Sequence, residues 1–322
     1  MNVLVTGGVG YIGSCLLSML REEGSVVNNI IRSLDCNCGK ECLEVKRRFE
    51  GDKRYQIIVG DIRQHHDVKK SLDNIDVVIH LAAISGLQAC MKNPADAIAT
   101  NIYGTQKILE MAVNSDVERM IFASSAAVYG NPAKYPITEE RQLKPLSLYG
   151  ITKTAGEQLI DSYHNNYGLC TTVFRLANVY GLGVYTLWNT VTSLFVKAAV
   201  EGESMVIYGS GKQARNFVHV KDVAGAIIRC LKTGKKSIAG ETFNVGGRES
   251  ISIKELGNLI LHLAQEESLK TVEFTHAPPR LGETYTPNFQ YSITKAERIL
   301  GYSPSVTLKE GIAELIHYAK KH

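Results

Sequence analysis

Asn2-Val3-Leu4-Val5-Thr6-Gly7-Gly8-Val9-Gly10-Tyr11-Ile12-Gly13 decides the fold. A short apolar run reads as a buried strand, and the helical periodicity of Ile12 to Glu23 follows at once. The glycines between them fall where a backbone must turn tightly and approach a pyrophosphate at a helix N-terminus. Strand before and helix after make this a dinucleotide-binding turn rather than a structural glycine cluster, with Gly7, Gly10, Tyr11, Ile12 and Gly13 as its cofactor contacts.

Outward from this turn the same rhythm repeats. Tyr55 to Val59, Asp76 to Leu81, Met120 to Ala123 and Thr171 to Leu176 read as buried strands. Pro94 to Asn114 and Leu148 to Tyr167 read as helices, the latter closed by Gly168. Such alternation predicts an α/β, doubly wound parallel sheet of the Rossmann type, with ligands at the carboxyl ends of its strands. After about Asn178 the rhythm loosens, and helices over Ile253 to Ala264 and Leu308 to Ala319 suggest a smaller α/β substrate domain. The division expected is 1–177 for the dinucleotide domain and 178–322 for the substrate domain, with part of 215–246 returning to the first core.

Composition narrows the function. With 322 residues, 44% hydrophobic and 21% charged, the chain is of ordinary globular type. The net charge of +4 is dispersed, and Lys46-Arg47-Arg48 sits beside Glu44 and Glu50, which argues for a solvated helix face and against nucleic acid. No stretch reaches the roughly 18 apolar residues that a membrane span needs, and no signal-peptide pattern opens the chain. Seven cysteines without a paired framework predict a reducing compartment, hence the cytoplasm. Cys36, Cys38 and Cys42 lack the partners of a zinc site and read as a thiol-rich loop, so no metal is expected.

The coenzyme reading turns on the end of the second strand, where an acid holds a ribose 2′-hydroxyl and an arginine accommodates a 2′-phosphate. Ile31-Arg32 occupy that place, so the expectation is NAD(P) with NADP favoured through Arg32; Asp35 would serve only if the strand ran longer. Asp61, after the third strand, reads equally as an adenine contact or a helix cap. Tyr149 and Lys153 lie four apart on a helix, so an ammonium can lower the phenol from its reference of about 10. Tyr103/Lys107, Tyr208/Lys212 and Tyr291/Lys295 share that spacing; Ser124-Ser125 at a strand end before the helix singles out Tyr149.

An ordered series of motifs then extends over nearly the whole chain. It comprises TGGVGYIG at the start, GDIR at 60–63, HLAA at 80–83, Asn101, SSAAVYG at 124–130, YGITK at 149–153 and RLANVYG at 175–181. IYGSGKQARNFVHVKDVA at 207–224, ETFNVGG at 241–247, PPRLGE at 278–283 and LGYSP at 300–304 follow. In this series the chain resembles the extended short-chain dehydrogenase/reductases, in their UDP-glucose 4-epimerase-like branch. The resemblance implies that Ser125 binds the reacting sugar oxygen, that Tyr149 transfers the proton and that Lys153 holds the nicotinamide ribose. It implies further cofactor contacts from Ile62, Leu81, Ala82, Ala83 and Asn101. Asn178, Arg215 and Arg280 would bind the diphosphate of a nucleotide sugar, and Ser85, with Gly86, Gln88 and Cys90, would face the sugar. It also implies a homodimer through the helices that carry Asn101 and Tyr149.

Departures sharpen this. Ala126 and Ala127 follow Ser125 where 4,6-dehydratases carry an acidic pair, and Ile31-Arg32 stand where the epimerase branch has aspartate. Asn216, Ser292 and Gly183-Val184 are further local differences. The reading is a nucleotide-sugar 4-epimerase working by transient oxidation at C4. The alternative is an NADPH-dependent reductase of 4-keto-6-deoxy sugar nucleotides using the same Ser/Tyr/Lys site. A regulator that kept the fold and lost its chemistry is a third reading, against which the intact Ser125, Tyr149 and Lys153 speak.

Overall fold

The computed structural model describes residues 1–23, 30–36, 40–280, 286 and 288–322. The strands are β1 (Val3–Thr6), β2 (Ile31–Asp35), β3 (Tyr55–Val59), β4 (Val77–His80), β5 (Arg119–Ser125), β6 (Cys170–Leu176), β7 (Asn178–Tyr180), β8 (Met205–Tyr208), β9 (Ala214–His219), β10 (Glu241–Val245), β11 (Ser250–Ser252) and β12 (Phe274–Ala277). The helices are α1 (Tyr11–Glu22), α2 (Lys40–Arg48), α3 (His65–Ser71), α4 (Leu87–Lys92), α5 (Pro94–Ile98), α6 (Thr105–Asn114), α7 (Leu148–Tyr167), α8 (Val191–Glu201), α9 (Val220–Lys232), α10 (Lys235–Ile238), α11 (Ile253–Glu266), α12 (Thr294–Leu300) and α13 (Leu308–Ala319).

Seven strands form one parallel sheet in the order β10-β6-β5-β4-β1-β2-β3. Its central strands β1 and β4 are buried at every residue, as apolar strands covered on both faces should be, whereas Val59 on the edge strand β3 is exposed. Leu16, Leu17 and Leu20 of α1 and Val223, Ile227 and Leu231 of α9 pack one face. Val68 of α3, Ile108 and Leu109 of α6 and Ile160 of α7 pack the other. The chain leaves this sheet after β6, and β7 pairs with β9, which pairs with β11. A separate core of Phe195, Met205, Leu256, Ile260, Ile312 and Leu315 joins α8, β8, α11 and α13. Between these pieces α9 and β10 return to the large sheet.

Two expectations change here. The helix read over Pro94 to Asn114 is interrupted by a π-helical turn at Ala99–Gly104, inside which Thr105 Oγ1 donates to the Asn101 carbonyl at 2.7 Å. The second strand does not end at Arg32; it continues to Asp35, paired with Val59 of β3. Arg32 is turned into the protein on the side away from the glycine turn. Its Nη1 donates to the carbonyls of Ser71 (2.9 Å) and Asp73 (2.7 Å), and its Nε and Nη2 donate to Gln56 Oε1 (3.0 and 2.8 Å). A guanidinium engaged this fully has no reach toward a 2′-phosphate. That corrects the assignment of Arg32 to the cofactor and removes the support it gave to NADP.

Arg32→Met should therefore lower unfolding free energy by about 2 kcal/mol, the worth of hydrogen bonds from one buried charged group. Denaturant unfolding measures this, and the ratio of NAD to NADP affinity should stay at its wild-type value; a swing of that ratio toward NAD would reinstate Arg32 as a phosphate ligand.

Candidate active site

A cleft of about 930 Å³ opens where the carboxyl ends of β1, β4, β5 and β6 face the smaller lobe. Gly7, Gly10, Tyr11, Ile12, Gly13, Leu81, Ala82 and Ala83 line one end, Ser125, Tyr149 and Lys153 the middle, and Ser85, Asn178, Arg215 and Arg280 the remainder. The crossover between β1 and β4, from which the chain proceeds in opposite directions across the sheet, puts this cleft at the topological switch point.

At the glycine end the loop is closed to backbone contact. Gly7 has φ 72°, and a Cβ there would stand 2.9 Å from the Ala82 nitrogen; one on Gly13 would stand 2.1 Å from the Gly7 carbonyl oxygen. No side chain caps α1, so its first N–H groups are left for a ligand, and a pyrophosphate suits them. Asp35 stands beside this loop. Its Oδ1 accepts the Val9 N–H at 3.1 Å, while Oδ2 is buried and has no hydrogen-bond partner among the described residues. Burial pushes the carboxyl up to about 6, the nearby Val9, Ser33 and Gly8 pulling the other way. A buried acceptor without a donor beside a glycine cradle is what the hydroxyls of an adenosine ribose complete, so these residues fit a dinucleotide.

The middle of the cleft is built from the end of β5 and the first turns of α7. Ser147 caps α7 by accepting the Gly150 N–H at 3.1 Å, which starts the helix just before Tyr149. Ser125 Oγ accepts the Ala127 N–H at 3.2 Å, and Ser125 lines the cleft together with Tyr149 and Lys153. Burial pushes the Tyr149 phenol up to about 12, Cys90 adding to the rise and Ser125 pulling the other way, so the lowering expected from the ammonium is not found in the protein without cofactor. Lys153 Nζ donates to the Ala123 carbonyl at 2.7 Å and lies 4.8 Å above the Phe122 ring. Burial pulls it down to about 8, opposed by Cys90 and Glu157.

Other positions lie behind the walls. Asn101 is buried with Oδ1 accepting from Ile84 N (2.8 Å) and Nδ2 donating to Ile84 O and Thr152 Oγ1 (both 3.0 Å). It fixes the loop after β4 to α7, and its polar atoms are used there rather than on a cofactor. Asp61 is held by Arg63, which donates from Nε and Nη2 to its carboxylate, and Ile62 belongs to the core. Neither lines the cleft. Cys90, expected to face the sugar, is fully buried and donates to Ile84 O at 3.3 Å. Of the cysteine cluster, Cys36 is exposed, while Cys38 and the Cys42 side chain lie outside the described residues. Among the described residues no group of three potential metal ligands occurs.

The sequence offers Asp35 only conditionally, should the second strand run longer, and does not mark Tyr185 or Gln213 as site residues. Asp35 had a signal, as the first acid after the glycine turn beyond an apolar strand. Tyr185 and Gln213 reach the cleft from loops, and nothing in their spacing marks them.

A dinucleotide cradle joined to a Ser/Tyr/Lys proton-transfer site defines a coenzyme-dependent enzyme. The chain belongs to the NAD dependent epimerase/dehydratase family, whose model matches residues 3–246. It is 30% identical over 322 residues to the UDP-glucose 4-epimerase of Mycolicibacterium smegmatis, covering 99% of this chain and 98% of that protein. It is also 30% identical over 325 residues to human dTDP-D-glucose 4,6-dehydratase, covering 100% of this chain and 90% of the other. Its fold matches UDP-glucuronic acid 4-epimerase from Bacillus cereus, solved with UDP-glucuronic acid and NAD, with a TM-score of 0.90, 31% identity and coverage of 100% and 99%.

Because Asp35 is pushed up to about 6, the folded protein without cofactor binds more protons than the unfolded chain between the ordinary aspartate range and that value. The contribution of Asp35 to stability, read as the difference between wild type and Asp35→Asn, should then fall by about 2 kcal/mol as pH rises from about 4 to about 6. Asp35→Asn should lack that part of the slope in urea unfolding and weaken dinucleotide retention; an unchanged slope would remove Asp35 as its source.

Proposed function

We propose that the chain is a nucleotide-sugar 4-epimerase that works with bound NAD. The observation that carries this reading is the convergence of Ser125, Tyr149 and Lys153 in one cleft with the glycine turn, Ser125 being followed in sequence by the methyl groups of Ala126 and Ala127 rather than by acids. When bound, NAD supplies the hydride acceptor and donor for a reversible oxidation at sugar C4. Tyr149 takes the proton of the 4-hydroxyl and later returns it, and Ser125 holds the same oxygen. Lys153 orients the nicotinamide ribose and keeps positive charge beneath the phenol. Arg215, Arg280 and Asn178 hold the substrate diphosphate, a task suited to guanidinium forks. Removal of the C6 hydroxyl as water needs a proton donor next to Ser125, and alanine has none.

Asp35 favours NAD, since its buried carboxyl would repel a 2′-phosphate, and the reductase reading loses the arginine it rested on. The relative solved with UDP-glucuronic acid and NAD supports a uridine nucleotide as the first substrate class to try. We also propose a homodimer through α5, the π turn and α7, where Ile98, Tyr103 and Ile151 are about half exposed. Among the described residues no helix is long and apolar enough to cross a membrane, and Cys15, Cys36, Cys90, Cys170 and Cys230 are free thiols. These features support the cytoplasm as its place of work.

Denaturing the purified protein should release NAD, and UDP-glucose and UDP-galactose should interconvert without net consumption of coenzyme. Consumption of NADPH with a 4-keto-6-deoxy sugar nucleotide, and no interconversion, would overturn the reading. Tyr149→Phe should cut turnover by about 100-fold or more while NAD stays bound. Light scattering should give a dimer, and Ile98→Glu with Ile151→Glu a monomer.

A further inference from the structure

Beneath the cleft floor lies a buried ion pair that the proton-transfer scheme does not use. Glu157 sits on α7 one turn after Lys153 and two after Tyr149, and its side chain is only 5% exposed. Arg175 of β6 grips it with Nε at 3.1 Å from both carboxylate oxygens and Nη2 at 2.7 Å from Oε2. Ser124 Oγ, the residue before Ser125, donates to Oε1. The second arm of Arg175 donates to Tyr129 Oη (2.9 Å) and the Glu139 carbonyl (2.8 Å). One carboxylate thus ties the helix bearing Tyr149 and Lys153 to the strand bearing Ser125.

The same carboxylate faces an electrostatic problem one turn away. The groups around Lys153 are Cys90 of α4, His80 of β4, the Phe122 ring and Ala123 carbonyl of β5, Tyr149 and Glu157 of α7, and beyond them Arg175 of β6. Burial pulls His80 down to about 3 and pushes the Cys90 thiol up, so both are uncharged at neutral pH. Burial likewise keeps Tyr149 protonated. Cys90 favours the buried ammonium only as a thiolate, so with its thiol protonated Glu157, one turn along α7, is the carboxylate that does so among the described residues.

We propose that Glu157 is a positioning residue for the proton-transfer site: clamped by Arg175 and Ser124 it sets where α7 stands against β5, and its charge keeps the buried Lys153 ammonium protonated. The first role belongs to the carboxylate's length, the second to its charge, so two substitutions separate them. Glu157→Gln keeps an acceptor for Arg175 and Ser124 and loses the charge. Glu157→Asp keeps the charge and withdraws it by one carbon. Arg175→Gln leaves Glu157 unneutralised and works in the opposite direction.

The proposal rests on the proposed function only for the kinetic half of its test. Lys153 is titrated directly by NMR of protein carrying nitrogen-labelled lysine, and kcat and KM for UDP-glucose are followed against pH. In Glu157→Gln the Lys153 midpoint should fall by about one pH unit. The alkaline limb of kcat should move with it, while KM changes less than about twofold. Glu157→Asp should keep the midpoint and lose kcat by about tenfold. If Glu157→Gln does not fold, Arg175→Gln should raise the Lys153 midpoint. Wild-type midpoints and pH profiles in folded Glu157→Gln, or an unmoved midpoint in Arg175→Gln, would overturn the proposal. A wild-type protein that turns over no nucleotide sugar would overturn the proposed function and leave the NMR result to decide this one.

Discussion

Burying opposite charges together is expensive, and removing one partner is more expensive still, about 3–5 kcal/mol, because the other is left without water or counterion. The Glu157–Arg175 pair puts this constraint where three parts of the fold meet. Through it α7 is fixed to β5 and β6, and through Tyr129, whose hydroxyl donates to Asn244 Oδ1 at 2.6 Å, the constraint reaches β10. Asn244 in turn donates its backbone N–H to Glu139 Oε1 at 2.8 Å and its side-chain amide to the carbonyls of Ile137 and Ser292. The floor of the cleft is therefore held by polar contacts of fixed direction, and the apolar packing around it fills the remaining space.

The polar groups in and beside the cleft are treated differently from those beneath it. Asp35 is buried with an unused acceptor, Lys153 is an ammonium under a burial penalty, and Tyr149 is a phenol pushed away from ionisation. Each is costly in the protein alone, and under the proposed function each would be relieved by a bound dinucleotide or sugar hydroxyl. Placing unfavourable polar groups at the carboxyl ends of well-packed strands converts some folding energy into selectivity for a ligand that completes them.

Local signals made much of this legible. The glycine turn was readable because strand, glycines and helix are contiguous, and Tyr149 with Lys153 because helical spacing followed a serine at a strand end. The end of the second strand was not, because it is set by pairing with β3, where Asp35 opposes Val59, and no local pattern around Ile31-Arg32 reports that register. Asn101 was in the right neighbourhood with the wrong partner. Its π-helical turn aims the amide at Ile84 and Thr152, a geometry that a regular helix over the same residues would not have produced. Asp61 was open between two readings, and Arg63, two residues on, takes its carboxylate.

The seventh strand of the large sheet has a consequence for the order in which the protein is made. β10 pairs with β6 only after the chain has travelled out through β7, α8, β8 and β9 and back through α9, so residues 241–245 close an edge opened at 170–176. During synthesis β6 stays an unpaired edge, with Phe174 lacking the Phe243 ring that later packs edge-on against it. The smaller lobe begins within that interval. The growing chain thus carries a sticky strand until it has produced the segment that covers it, and translation speed between these two strands sets how long that edge is open to other chains.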